Sequence, residues 1–266
     1  MTQVHTRLRR VVLLMALLGT AMAAHAQQYK VLVAAIPNKY HHDYIPVAKP
    51  RFEAMARQHY FELVWAWNAS AFDQDLSQYA AIVLLNTPAS DLDPAQRERF
   101  QQYVRNGGGV VAVHKAFATA REWPWYERMI GRLFRTHPWM QTAMVDIVDR
   151  DHPATAGLPT RWMWTDEWYE YDPPYSDTLV TVMTVDERTY DPTLIWEGQT
   201  AKGMGKDHPV AWYHEFEGGR VFATALGHLA EAYNDPVYMQ HLYGGIYWAA
   251  TGKGVEKTDA KREANP

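Results

Sequence analysis

Val31 to Ile36, Ala80 to Leu85, Val110 to Val113 and Val221 to Leu226 are short apolar runs broken only by Thr224. A strand with one wet face alternates apolar and polar residues; a strand apolar throughout is buried on both faces. Four such strands in one chain call for a sheet covered by helices on each side, and so for an α/β fold with a largely parallel sheet.

The segments between them read as helices. Pro46 to His59 carries Phe52, Met55 and Ala56 on one side. Phe61 to Trp67 reads as a further strand. Asp93 is a good helix N-cap and Pro94 suits the first helical position; Phe100 and Val104 follow at helical spacing, and Asn106-Gly107-Gly108-Gly109 stops the helix. This glycine run precedes a strand, whereas phosphate loops follow a strand and open a helix, so no nucleotide site is assigned. In the second half, Thr142 to Val148, Arg161 to Tyr171 and Thr178 to Val185 read as strands. Pro209 to Phe216 and Arg220 to Leu226 read as a hairpin around Glu217-Gly218-Gly219, and Pro236 to Ala250 as a final helix. No internal linker stands out, so this β-rich part is an elaboration of one sheet.

Arg7, Arg9 and Arg10, the apolar stretch Val11 to Ala24 and the small-x-small Ala24-His25-Ala26 read as a cleaved secretory signal over residues 1–26. The apolar stretch is short for a membrane span. Periplasmic or secreted location follows as an expectation, with no stable membrane anchor after cleavage. A single domain over 27–253 and a disordered tail over 254–266 complete the organisation. Without the leader, 23 basic residues face 30 acidic ones, a balance that argues against nucleic acid as a partner. With no cysteine, disulfides and thiol nucleophiles are excluded.

Strand ends in an open α/β sheet are where ligands bind, and three histidines stand there. His42 with Asp43 lies after the first apolar run, His114 directly after the fourth strand, and Gly227-His228 after the last. Imidazole moves protons near neutral pH. The bland alternative for each is a structural or solvated histidine. The four serines, Ser70, Ser77, Ser90 and Ser176, lack a nucleophile-turn context. Asp166-Glu167-Trp168-Tyr169 puts two carboxylates among aromatics; in extended chain Glu167 and Tyr169 share one face and Asp166 and Trp168 the other. An aromatic surround would raise the Glu167 pKa and suit it as acid or base. His208, held extended by Pro209, is a further pocket candidate; His137, before Pro138, is undecided, and His152, before Pro153, reads as a loop brace. Among eleven tryptophans and sixteen tyrosines, Trp123, Tyr126 and Trp212 flank the histidine motifs and could pack on sugar faces, or simply fill the core. His, Asp and Glu clusters suit zinc or manganese, but no metal-ligand spacing occurs; no cofactor is assigned, and a divalent metal stays open.

Taken together, Tyr40-His41-His42-Asp43-Tyr44-Ile45, Leu85-Asn86-Thr87, Gly107 to His114, Trp123-Pro124-Trp125-Tyr126, Asp149 to Thr155, Asp166 to Tyr169, Met204-Gly205 with His208 to Trp212, Gly218-Gly219-Arg220, Leu226-Gly227-His228, His241-Leu242 and Gly245-Ile246 resemble the ThuA-like family, named for trehalose utilisation. The resemblance spans roughly residues 30–250. It implies a flavodoxin-like three-layer sandwich of the class I glutamine amidotransferase type. In those enzymes a cysteine occupies the turn where His114 stands, and a catalytic histidine follows a later strand near the place of His228. Without the cysteine, glutamine hydrolysis is not expected. Family members are tied to sugar catabolism, often beside oxidoreductases that make 3-keto sugars, which implies a sugar or keto-sugar substrate.

The sequence reading is therefore an enzyme acting on a carbohydrate by acid–base chemistry. His114, His228, Glu167 and Tyr169 form the catalytic set. His42, Asp43, Asn86, Asp166, His208, Trp123, Tyr126 and Trp212 bind substrate. Elimination, hydration, isomerisation and hydrolysis remain open, as do a non-catalytic sugar-binding protein and a metal-dependent glycoside hydrolase. The oligomeric state is not legible.

Overall fold

The computed structural model describes residues 27–39, 42–118, 123–173, 176–193, 195, 196 and 199–254. The expected leader over 1–26, Tyr40 and His41, and nearly all of the expected tail lie outside these residues.

Thirteen strands are present among the described residues: β1 (Lys30–Ala34), β2 (Glu62–Ala66), β3 (Ala81–Leu85), β4 (Gly109–Val113), β5 (Leu133–Thr136), β6 (Gln141–Ile147), β7 (Arg161–Asp166), β8 (Glu170–Asp172), β9 (Val180–Asp186), β10 (Ile195–Trp196), β11 (Gln199–Thr200), β12 (His208–Phe216) and β13 (Gly219–Thr224). Four α-helices accompany them: α1 (Ile45–Gln58), α2 (Pro94–Arg105), α3 (Pro124–Ile130) and α4 (Pro236–Thr251). No helix among the described residues is long and apolar enough to cross a membrane.

Nine strands make one sheet in the order β2-β1-β3-β4-β13-β12-β9-β6-β7. The first five run parallel. From β13 onward every neighbour is antiparallel, so β7 again points the same way as β4 and β13. The expected α/β three-layer sandwich is what the chain forms, and its parallel strands bury both faces as their composition requires. Val31, Val33, Val111 and Val113 pack on one side with Phe52 of α1 and Leu242 of α4. Leu32, Ala34, Val110 and Ala112 pack on the other with Phe100 and Val104 of α2 and Met129 of α3.

Local signals set the boundaries. Asp93 and Gln96 form a capping box, each side chain bonding the other's backbone N–H. In the β12–β13 hairpin Phe216 pairs with Gly219, and the two loop residues, Glu217 at φ +47° and Gly218 at φ +96°, have the twin positive φ of a type I′ turn. The stretch expected as one strand over Arg161 to Tyr171 is instead broken after Asp166, leaving β7 in the main sheet and β8 paired with β5. The reason is the Asp166 side chain. Its carboxylate accepts the N–H of Glu167 and also those of Gly227 and His228, drawing the chain out of the ladder. Because β7 lies four strands from β13 in the sheet, this bond requires the antiparallel half to curl back over the strand ends.

Candidate functional site

Three segments, after β4, β13 and β7, leave the main sheet at its carboxyl edge and meet a fourth that follows β5 of the small β5–β8 sheet. After β4 the chain turns sharply into a 3-10 segment, His114–Phe117. His114 sits in the left-handed region at φ +47°, a conformation a non-glycine residue holds only when its surroundings impose it. Those surroundings are visible. The Tyr126 hydroxyl donates to Ala116 O at 3.0 Å, and Lys115 N donates to Asn86 Oδ1 at 3.2 Å. The His114 Nδ1–H donates to Ala225 O at 2.7 Å, since a carbonyl can only accept; Nε2 then faces the site.

After β13, Gly227 has φ +113° and its position admits no side chain, because a Cβ there would lie 2.1 Å from the Tyr238 hydroxyl. This tight turn delivers His228, whose Nδ1 lies 3.2 Å from His114 Nε2. After β7 come Glu167 and Tyr169, and after β5 comes His137.

One oxygen is the focus. Glu167 Oε2 lies 3.2 Å from His228 Nδ1, 3.4 Å from His114 Nε2 and 3.6 Å from His137 Nε2. The Tyr169 hydroxyl lies 2.8 Å from His114 Nε2. His137 is turned by its own Nδ1–H, which donates to Pro138 O at 2.7 Å.

Charge follows from this packing. Burial works to raise the Glu167 pKa, but hydrogen bonds from His114 and His228, with the charges of His114 and His137, outweigh it and hold the carboxyl well below the usual carboxylate range. The sequence expectation of a raised pKa is thus corrected: aromatics are near, but imidazoles are nearer. Burial tends to lower His228, yet the Glu167 bond and charge, with Asp166 and Asp43, carry its pKa upward. For His137 burial dominates and the pKa falls despite Glu167. Burial, then the charges of Glu167 and Asp166, pushes the Tyr169 phenol far above its ordinary value, so it remains a donor.

The expected catalytic set, His114, His228, Glu167 and Tyr169, is thus assembled in one place. The expected substrate-binding set is divided. His42 and Asp43 are exposed, with Asp43 near enough to act on His228. Asn86 is fully buried and spans the loops, its Nδ2 donating to Gly227 O and Tyr233 Oη; it braces the strand ends and presents no group to a ligand. Asp166 is likewise fully buried, and its two oxygens accept four N–H groups, from Trp164, Glu167, Gly227 and His228; it ties the site together instead of touching substrate. His208 is fully buried between Glu187 Oε1 at 2.7 Å and Tyr169 O at 2.9 Å, so it positions the Tyr169 backbone. Tyr126 and Trp212 have no exposed surface, and Trp123 is 6% exposed. Trp123 stacks on Trp125 and Tyr126, Trp212 packs tilted against Phe117, and Trp212 Nε1 donates to Ile130 O. As core residues they offer no sugar platform.

Sequence reasoning left His137 undecided and passed over Glu187. Pro138 was the one local signal for His137, because it fixes both the direction of the histidine and the carbonyl its ring bonds.

No curated protein matches the chain. Two solved structures align closely with it: a ThuA-like protein from Bacteroides uniformis, 24% identical with TM-score 0.71, covering 86% of this chain and 94% of that one, and a ThuA-like protein from Parabacteroides merdae, 23% identical with TM-score 0.69, covering 86% and 92%. A β-galactosidase from Bacillus circulans shares the fold over 31% of its own chain, at 14% identity and TM-score 0.51. These likenesses concern the fold. The sequence profile of the ThuA family, described as trehalose utilisation, matches residues 30–249, a span that runs from β1 to within two residues of the end of α4. The chain belongs to the ThuA, trehalose utilisation, family.

Proposed function

We propose that the chain is an exported enzyme of carbohydrate catabolism whose reaction takes place where Glu167, His114, His228, His137 and Tyr169 meet. Family membership supports a role in carbohydrate metabolism. The observation that carries the enzymatic reading is the single carboxylate oxygen with three imidazole nitrogens at 3.2–3.6 Å. Holding three imidazoles and a carboxylate together out of water is costly, and a sugar-binding surface has no need of it. A reaction that moves protons on a sugar does.

The substrate class is a sugar or a 3-keto sugar or glycoside. In a keto sugar the carbonyl acidifies the neighbouring C–H, so a carboxylate or imidazole is an adequate base. Here a group of the cluster takes the proton from carbon, and the Tyr169 hydroxyl hydrogen-bonds the oxygen on which charge develops. Elimination and isomerisation share that first step; hydration runs an elimination backwards, water adding to the β-carbon and the proton returning to the α-carbon, and hydrolysis would place the proton on the glycosidic oxygen instead. Asp43 and His42 stand at the exposed side, where sugar hydroxyls would be bound.

The test is incubation of the purified protein with trehalose, other glucosides and their 3-keto forms, read by mass spectrometry. The expected result is a mass change of water gained, water lost or aglycone released, or for isomerisation a new species of equal mass resolved by chromatography. It should be abolished in a folded His114→Ala variant. Saturable sugar binding with no product would make the protein a binder, and full turnover by folded His114→Ala would remove the cluster from the reaction.

A further inference from the structure

The three donor atoms of His114, Glu167 and His228 form a nearly equilateral triangle. His114 Nε2 to His228 Nδ1 is 3.2 Å, His228 Nδ1 to Glu167 Oε2 is 3.2 Å and His114 Nε2 to Glu167 Oε2 is 3.4 Å. Around a four-coordinate zinc ion with bonds of about 2.0–2.1 Å, tetrahedral geometry sets neighbouring donors about 3.3 Å apart. The triangle therefore has the size of one face of such a tetrahedron, and an ion about 2 Å from each donor would lie roughly 0.7 Å out of its plane.

The ring orientations agree. His114 and His137 each commit Nδ1–H to a backbone carbonyl, Ala225 O and Pro138 O, both at 2.7 Å. Each ring then turns Nε2 toward Glu167 Oε2. A hydrogen-bonded far nitrogen is also how proteins fix the tautomer of a metal-binding histidine. Asp166 Oδ1 adds a cross-tie, accepting the backbone N–H of Glu167 at 3.0 Å and of His228 at 3.2 Å. Two donors are thereby locked to each other before any ion arrives. The mixed imidazole and carboxylate set suits zinc and its first-row neighbours.

We infer that His114, Glu167 and His228 form a binding site for one divalent transition-metal ion of zinc size. The inference deepens the reading of this cluster as a reaction centre and rests on it for its biological meaning, but ion binding is measured with no sugar present. Failure to bind metal and failure to turn over carbohydrate are thus separate results.

The experiment uses the exported protein, dialysed against chelator and then into metal-free buffer. Zn²⁺ is titrated by calorimetry, and Co²⁺ is added as a probe whose visible bands report a low-coordinate site. The expected result is one Zn²⁺ per chain, low-coordinate Co²⁺ bands, and affinity at least tenfold weaker in both Glu167→Gln and His228→Ala. His59→Ala, at a ring stacked on Tyr243 away from the cluster, is the control and should bind as the wild type does. Circular dichroism and the thermal midpoint establish which variants are folded. Glu167→Gln keeps the shape of the side chain, so the test stands even if His228→Ala does not fold. Absence of a stoichiometric ion in the wild type, or a loss of less than tenfold in either folded variant, overturns the inference.

Discussion

Tyr169 and Asp166 lie three residues apart and do different work. The Tyr169 hydroxyl reaches His114 directly, so Tyr169→Phe removes a donor from the proposed reaction centre while leaving the ring packed. Turnover should fall roughly 10²-fold, as when one donor to a developing charge is lost, with the thermal midpoint nearly unchanged. Steady-state kinetics beside a melting curve decides this, and a kinetically silent variant would place the hydroxyl outside the chemistry. Asp166→Asn puts an NH₂ group where an oxygen now accepts two N–H donors. It should cost about 1–3 kcal/mol, lowering the midpoint by roughly 2–10 °C, and lower turnover by freeing His228. Unchanged stability would mean that the four bonds are replaceable. The sequence made the Glu167–Tyr169 pairing legible, because alternation puts them on one side even though the segment is not a strand. It could not reveal that imidazoles surround Glu167, since His137 and His228 come from distant parts of the chain. The tryptophans misled for a related reason: an aromatic residue reads the same whether it faces a ligand, as was expected of Trp212, or the inside of the sandwich, where Trp212 is found.

At the scale of elements, the apolar runs and caps were legible to within about two residues, because parallel strands and helix starts are written locally. The order of the antiparallel strands was not, since β9, β6 and β7 carry ordinary half-exposed patterns that would suit several pairings. The turn between β13 and His228 is the element on which the site depends most. Gly227→Ala must accept both a left-handed φ and contact with the Tyr238 hydroxyl. A loss of about 1–3 kcal/mol is expected from strain alone, read as a lower urea midpoint, together with weaker turnover. Wild-type stability and activity would show that this turn has slack.

For the molecule as a whole, two buried histidines outside the site, His152 and His241, weaken the fold in acid. Burial lowers the His152 pKa to about 3, helped by the charge of His241. Burial likewise lowers His241 to about 4, partly offset by its bond to Ala154 O. In the unfolded chain both take a proton below about pH 6.5. The unfolded state therefore binds more protons at acid pH, and stability falls as pH drops from about 6.5 toward 4. The expected slope is about 1.4 kcal/mol per pH unit for each group. Urea unfolding at about pH 7 and pH 5 should differ by roughly 4 kcal/mol from this pair. His152 stacks on Tyr213 and Phe222, so His152→Phe keeps the packing and should remove about half of the slope. A slope unaltered by that substitution would assign the acid lability to other groups.

The cluster draws on positions 114, 137, 167 and 228, and its cross-tie joins the loop after β7 to the loop after β13. A nascent chain still threading through the ribosome lacks the last imidazole until most of its length has emerged. The cluster is then complete only when the final strand inserts and the clasp closes. A truncated product or half-domain inherits none of it.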